Sequence, residues 1–186
     1  MEYYIFDAVS PNDDAPFLEL PDEIDLIESI MGKKPDFYEL PIKIPAEIDK
    51  DERIVYTDII NPGVPLFSEK MKSFLDELGV ENIDYFPVEI IDYETKEILA
   101  NYWLAIVIGL VSCIDLDKTE VAQSASGRAV ISKFSIDQSK VGEYKLFRLH
   151  HIPGLIIIDE DMKEKLSKVD FKGVSFQPTE QYYREV

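Results

Sequence analysis

A stretch of this chain occurs twice in one frame. From Pro62 to Glu89 and from Pro153 to Glu180, at a constant offset of 91 and without a gap, Pro62-Gly63 matches Pro153-Gly154 and Glu69 matches Glu160. Met71-Lys72 matches Met162-Lys163, Leu75 matches Leu166, and Pro87 matches Pro178. Each copy reads as a short apolar strand, a capped helix and a second strand carrying a proline, so the expected body is a pseudo-repeat of one strand-helix-strand unit. Ser68 and Asp159 stand where N-caps belong. Met71, Phe74, Leu75 and Leu78 line one face of the first helix, and Met162, Leu166 and Val169 line one face of the second. Gly79 is the stop of the first helix. Pro87 and Pro178 have no amide hydrogen for a ladder and demand an edge, a bulge or an unpaired position.

Around these units the pattern is mostly strand. Tyr3 to Val9, Ile54 to Ile60, Ile83 to Ile91, Ile98 to Val111, Ala129 to Ile136, Tyr144 to Leu149 and Phe171 to Phe176 have strand composition. Ile98 to Val111 is the most apolar and is assigned to the centre of the sheet. Ser124 to Gly127 reads as a mobile loop and Gln181 to Val186 as a frayed tail. Prolines at 16, 21, 35, 41 and 45 break residues 11–53 into an irregular arm. Within it only Glu23 to Met31 suits a helix, with Ile24, Ile27 and Ile30 at three-residue spacing. The expected fold is α+β: a mixed sheet with two strand-helix-strand pseudo-repeats, divided into an acidic N-terminal strand and arm (1–61) packed on a body (62–186) in one globular unit.

Charge limits the partners. The 186 residues carry a formal net charge of -18, and residues 1–61 alone hold 16 Asp or Glu against 5 Lys or Arg. Such a field repels phosphate backbones and anionic lipid, so nucleic acid and membrane surfaces are not expected ligands, whereas a basic protein is. Solubility alone accounts for the same acidity equally well. Asp13, Asp14, Asp22 and Glu23 are the residues of the arm placed at a partner surface. The N-terminal Met-Glu-Tyr-Tyr-Ile-Phe-Asp has no basic segment and only a short apolar run, so no signal peptide and a cytoplasmic location are expected. The run from Tyr102 to Ile114 is interrupted by Gly109 and falls short of the roughly 20 residues that span a bilayer.

Catalytic motifs are sparse. The single cysteine, Cys113, rules out an internal disulfide framework and a cysteine-based zinc site, and its apolar neighbours describe a buried thiol rather than a nucleophile. His150-His151 are the only histidines, and neighbours on a strand face opposite ways, which suits a surface pair better than joint metal ligation. Asp115 and Asp117 share a face and have a spacing that can hold a hard cation, but with the following Lys118-Thr119 they are better described as turn chemistry at a solvated strand end. Arg148, between Phe147 and Leu149, needs a partner if buried: either a structural bidentate pair with a carboxylate or a ligand-facing role. There is no phosphate loop, dinucleotide fingerprint or nucleophile elbow. No cofactor and no metal is called for.

Asn101-Tyr102-Trp103-Leu104, Ile114-Asp115-Leu116-Asp117-Lys118-Thr119, Leu146-Phe147-Arg148-Leu149, Ile157-Ile158-Asp159-Glu160 and Gly173-Val174-Ser175-Phe176-Gln177-Pro178 stand in this order along the chain. In these motifs the sequence resembles the immunity-protein-11 family, formerly a domain of unknown function, over about residues 62–180. The resemblance implies a non-catalytic antidote that binds and neutralises a cognate toxin of a bacterial polymorphic toxin system in the cytoplasm. It places the family's arginine and glycine on Arg148 and Gly173, with an architectural role. Asp159 departs from the serine common at its position, yet both residues cap helices. The rival from another class is a small enzyme or ligand-binding domain that gathers Arg148, His150, His151, Asp115 and Asp117 around one pocket.

Overall fold

Two mixed sheets share one core. The computed structural model describes residues 1–9, 17–37, 39–47, 55–123 and 129–182. In chain order the elements are β1 (Tyr3–Ala8), β2 (Phe17–Leu18), α1 (Leu26–Ile30), β3 (Ile42–Glu47), β4 (Ile59–Ile60), β5 (Leu66–Phe67), α2 (Glu69–Glu77), β6 (Ile83–Asp92) and β7 (Ile98–Val107). They continue as β8 (Leu110–Val111), β9 (Ile114–Asp115), β10 (Glu120–Gln123), β11 (Ala129–Ser132), β12 (Ser135–Ile136), β13 (Leu146–Leu149), β14 (Ile156–Asp159), α3 (Glu160–Ser167) and β15 (Val174–Pro178). One sheet has the order β2-β3-β6-β7-β5-β4 and the other β15-β1-β14-β13-β8, with β10-β11 and β9-β12 as small antiparallel ribbons. This is an α+β fold.

Each large sheet contains a strand-helix-strand unit opened by an inserted strand. β5 and β6 are both antiparallel to β7, which lies between them, so they run parallel to each other across α2. β14 and β15 are likewise both antiparallel to β1, and α3 connects them. The inserted strand comes from the C-terminal side of one unit and from the far N-terminus for the other. The helix caps also correspond in number: the Ser68 hydroxyl accepts from the Met71 amide at 3.1 Å, and the Asp159 carboxylate accepts from the Met162 amide at 2.7 Å. The first helix ends at Gly79 (φ +72), where the Gly79 amide donates to Asp76 and the Val80 amide to Leu75, the paired bonds of a Schellman stop.

Met71 and Leu75 on α2, and Met162 and Leu166 on α3, are buried in one cluster with Phe6, Phe67, Ala105, Val107, Ile156 and Ile158. Both helices therefore lie over a core that both sheets contribute to, and Phe74 meets Phe171 edge-on across it at 5.4 Å. Each such side chain removed from water contributes about 1.5–3 kcal/mol. The opposite faces of the sheets are also covered. Leu66, Val88, Tyr102, Leu104 and Ile106 share a cluster with Ile42, Ile44 and Ala46 of β3, and Leu20, Ile24 and Phe37 from outside the sheet's strands pack against it. Tyr3, Ile5, Phe147 and Ile157 pack against Cys113, Phe134 and Tyr182. Pro178 ends an edge strand, and Pro87 precedes Val88, where pairing of β6 with β3 begins.

Several expectations need correction. The arm is less irregular than its prolines imply: Ile42, Ile44 and Ala46 alternate inward along β3, which pairs parallel to β6. Pro45 fits because its carbonyl accepts from the Glu19 amide, so the amide hydrogen that it lacks would face the same side, beyond the two-residue β2, and not the ladder with β6. The expected helix at Glu23 begins later, at Leu26, because Asp25 caps it by accepting from the Glu28 amide. Ile24 is buried but precedes the helix, whereas Ile27 is 71% exposed, so the three isoleucines do not form one stripe. Of the strand expected at Ile54 to Ile60 only β4 forms, and residue 54 lies outside the described residues. Ser124 to Gly127 and residues 183–186 also lie outside them. Tyr182 is not frayed: its ring meets Phe134 at 5.5 Å and its carbonyl accepts from the Lys133 amide.

Candidate functional site

Arg148 lies inside the protein, 1% exposed, on the face of β13 shared with Leu146. A carboxylate does not hold it, contrary to the expected bidentate pair. Nη1 donates to the carbonyls of Pro153 at 2.8 Å and Gly154 at 3.3 Å, in the turn that follows its own strand. A turn five residues away closes on the guanidinium before any distant acid can, and Asp7 acts on it only through its field. Nε and Nη2 are buried without a partner among the described residues. Burial therefore lowers the Arg148 pKa to about 10, against a smaller opposing effect of Asp7. This arginine organises a turn.

The other polar candidates do not meet it. His150 and His151 are exposed in the turn after β13, their rings edge-on at 5.3 Å. Asp115 caps a short 3-10 turn: its carboxylate accepts from the Asp117 amide at 3.2 Å and from Lys118 Nζ at 2.7 Å, and its carbonyl accepts from the Thr119 hydroxyl. The Lys118 hydrogen bond holds the Asp115 carboxyl below the usual range. Asp117 points to solvent. Burial pushes the Cys113 thiol up to about 11, so it is protonated at neutral pH. Among the described residues no three His, Cys, Asp or Glu side chains group as metal ligands, and no helix is long and apolar enough to cross a membrane.

Two surface depressions stand out. One, of about 440 Å³, is lined by residues 79–82 and 143–145, and two of its polar side chains are engaged: Lys145 Nζ donates to the Leu78 carbonyl, and the Asn82 amide donates to the carbonyls of Ile108 and Leu146. The other, of about 320 Å³, is lined by Pro21, Glu23, Phe37, Glu39, Pro41, Ile42 and Lys43. Phe37 forms its apolar wall, edge-on to Phe86 at 4.9 Å, and Lys34 lies over the Phe86 ring at 5.4 Å. Neither depression is lined by Arg148, the histidines, Asp115 or Asp117.

Of the four acidic residues expected at a partner surface, Asp22 and Glu23 are exposed, and Glu23 borders the second depression. Asp13 and Asp14 lie outside the described residues. Beside Asp22 and Glu23 is a feature that sequence reasoning missed. α1 buries Ser29 and exposes Leu26 (44%), Ile27 (71%) and Met31 (39%), the reverse of an ordinary surface helix. No local signal announced it, since Ile24, Ile27 and Ile30 at three-residue spacing indicate burial.

The model of the Immunity protein family (Imm11) matches residues 13–181, and the chain belongs to that family. The match extends well into the acidic arm, beyond the span on which the sequence motifs rested. No curated protein matches the chain.

Proposed function

We propose that this member of an immunity family, whose role is toxin neutralisation, protects by stoichiometric binding of one cognate toxin in the cytoplasm. The observation that carries this is the family match over residues 13–181. Charge supports the choice of partner: a chain of net charge -18 attracts a basic toxin domain and speeds encounter with it. The scattered polar side chains support occlusion of the toxin rather than its chemical modification, since catalysis needs groups within hydrogen-bonding reach of one reacting atom.

Co-expression with the toxin encoded beside this chain tests the reading. Survival is expected only when both are made, and death of cells making both overturns it. Association of the purified pair should slow as salt rises from about 0.05 to about 0.5 M, because screening shortens the reach of the acidic surface. Reversing Asp13, Asp14, Asp22 and Glu23 together to lysine should slow association by roughly tenfold at low salt. Unchanged kinetics would remove the arm from recognition.

A further inference from the structure

The side of α1 that faces water has the anatomy of an interface without a partner. Leu26, Ile27 and Met31 are exposed in one short element, and Ile27 and Met31 are one turn apart, linked by the Met31 amide to the Ile27 carbonyl. Contiguous apolar surface of this kind on a soluble chain marks a binding site, because leaving it in water costs about 25 cal/mol per Å². The helix itself is rigidly seated. Leu26 reaches over the Pro62-Gly63 turn, its Cδ2 2.9 Å from where a Cβ on Gly63 would stand, and Gly32 lies against the Val107 carbonyl at 3.0 Å by the same measure. The apolar trio is thus presented on a fixed platform at the end of β7.

Its rim is acidic. Asp22, Glu23 and Asp25 precede the trio and Glu28 stands within it, while Lys33 and Lys34 follow it; Glu28 pairs with Lys33 and Asp25 caps the helix. Among the described residues no basic side chain pairs with Asp22, Glu23 or Glu39. Glu23 and Glu39 line the 320 Å³ depression together with Lys43, which leaves its lining acidic by one charge, and Pro21, Phe37 and Pro41 supply apolar walls. Walls of that kind fit the methylene stem of an arginine or lysine, and the two carboxylates fit its charged head.

We propose that the toxin docks on this face, with apolar side chains against Leu26, Ile27 and Met31 and a basic side chain in the depression beside Glu23 and Glu39. The inference rests on the proposed toxin neutralisation and adds the surface that performs it. Charge selects the occupant. A second copy of this chain would bring like acidic rims together across a two-fold axis, and an anionic polymer or lipid surface would be repelled in the same way. A basic protein satisfies both the apolar centre and the rim, the usual composition of a protein interface.

The test compares Ile27→Asp with Leu116→Asp in the full chain, using the toxin encoded beside it as probe. Leu116 is 64% exposed on the 3-10 turn after β9, so both substitutions replace an exposed apolar side chain, and both should leave the urea midpoint unchanged. Ile27→Asp should weaken toxin binding by roughly 30-fold or more, the loss typical of a central interface residue, while Leu116→Asp stays near wild type. If Ile27→Asp fails to fold, Asp22→Lys with Glu23→Lys serves instead, since both residues are exposed. Failure of the wild-type chain to protect or bind overturns the proposed function. Protection by wild type together with equal binding by Ile27→Asp and Leu116→Asp overturns the docking surface alone. So does a wild-type dimer in sedimentation that Ile27→Asp dissolves, for it gives the face to a second copy.

Discussion

Replacing Gly173 with alanine should cost far more than the same replacement at Gly142, although the two glycines have the same φ of +69°. At Gly142 a new Cβ would meet nothing within 4 Å, so only the left-handed backbone opposes it, by about 1–2 kcal/mol. At Gly173 the Cβ would stand 2.5 Å from Thr57 Cβ, 2.7 Å from Cγ2 and 2.8 Å from Oγ1. Thr57 cannot withdraw: it is buried, its hydroxyl donates to the Ile59 carbonyl at 2.7 Å, and its carbonyl accepts from Tyr102 at 2.6 Å. Overpacking of this kind adds about 1–3 kcal/mol, so Gly173→Ala should lose about 2–5 kcal/mol in all. The site also joins the sheets, because the Asp58 amide donates to the Lys172 carbonyl and the Asp58 carboxylate accepts from the Lys172 amide. Urea unfolding of both variants reads the difference as a change in midpoint at constant slope. A Gly173→Ala loss within about 0.5 kcal/mol of the Gly142→Ala loss would refute the steric argument, since distinct costs for the two sites are its whole content.

Three further outcomes follow from buried polar groups. The Tyr102 phenol is held far above its ordinary 10.0, chiefly by burial and then by Asp58. Its raised folded pKa gives stability that is complete below pH 10 and lost as pH climbs above it, so Tyr102→Phe should flatten the alkaline fall in unfolding free energy while costing about 1 kcal/mol at neutral pH from the lost hydrogen bond. Asp159→Ala should cost about 1 kcal/mol by freeing the Met162 amide, and Asp159→Ser should restore most of it, as urea midpoints will show. Arg148→Met should shift stability by under about 1 kcal/mol or raise it, because it removes a buried charge with two unpartnered nitrogens. Arg148→Ala should instead lose about 2–4 kcal/mol to the cavity, and equal losses in the two variants would show that the charge matters more than the volume.

The parts of the fold legible in the sequence are those set by neighbours a few residues apart. Ser68 and Asp159 announced their helices because a cap and the amide it satisfies are three residues apart, and Met71, Leu75, Met162 and Leu166 followed from helical spacing. The central place of β1 could not be read, since Tyr4 pairs with Ile158 and Pro178 and no local pattern encodes a partner so distant. β3 was hidden for a different reason: Pro41 and Pro45 signal a break, and only the register with β6 shows that the strand tolerates them. At the candidate surface, the acidity of the arm was visible in composition. The apolar trio on α1 was not, because isoleucines at three-residue spacing indicate burial, and the outward turn of Ile27 depends on the helix starting after Ile24. The arginine was located but its partner was not, since the capture of its guanidinium by the Pro153 and Gly154 carbonyls depends on the path of a turn.

The edges of the sheets argue for recognition through side chains rather than through added strands. A toxin segment could in principle extend either sheet, and exposed strand edges invite such pairing. Here β2 and β4 at the ends of the six-stranded sheet are two residues long, as is β8 at one end of the other sheet. Each offers too few backbone groups for a durable ladder by itself, and a longer open stretch is residues 98–102 of β7, beyond its two-residue pairing with β5. The remaining edge, β15, ends in Pro178, which has no amide to donate, and runs directly into a 3-10 turn at Thr179. The broad faces are closed as well, one pair by the shared core and the others by the arm and the small ribbons. A toxin that engages side chains finds exposed Leu26, Ile27 and Met31 on the arm beside Asp22 and Glu23, which no basic side chain pairs with among the described residues. Pairing of β3 with β6 and burial of Ile24 against the six-stranded sheet fix the arm's position, and that anchoring turns an acidic segment into a preorganised surface whose ordering entropy is spent in folding rather than in binding.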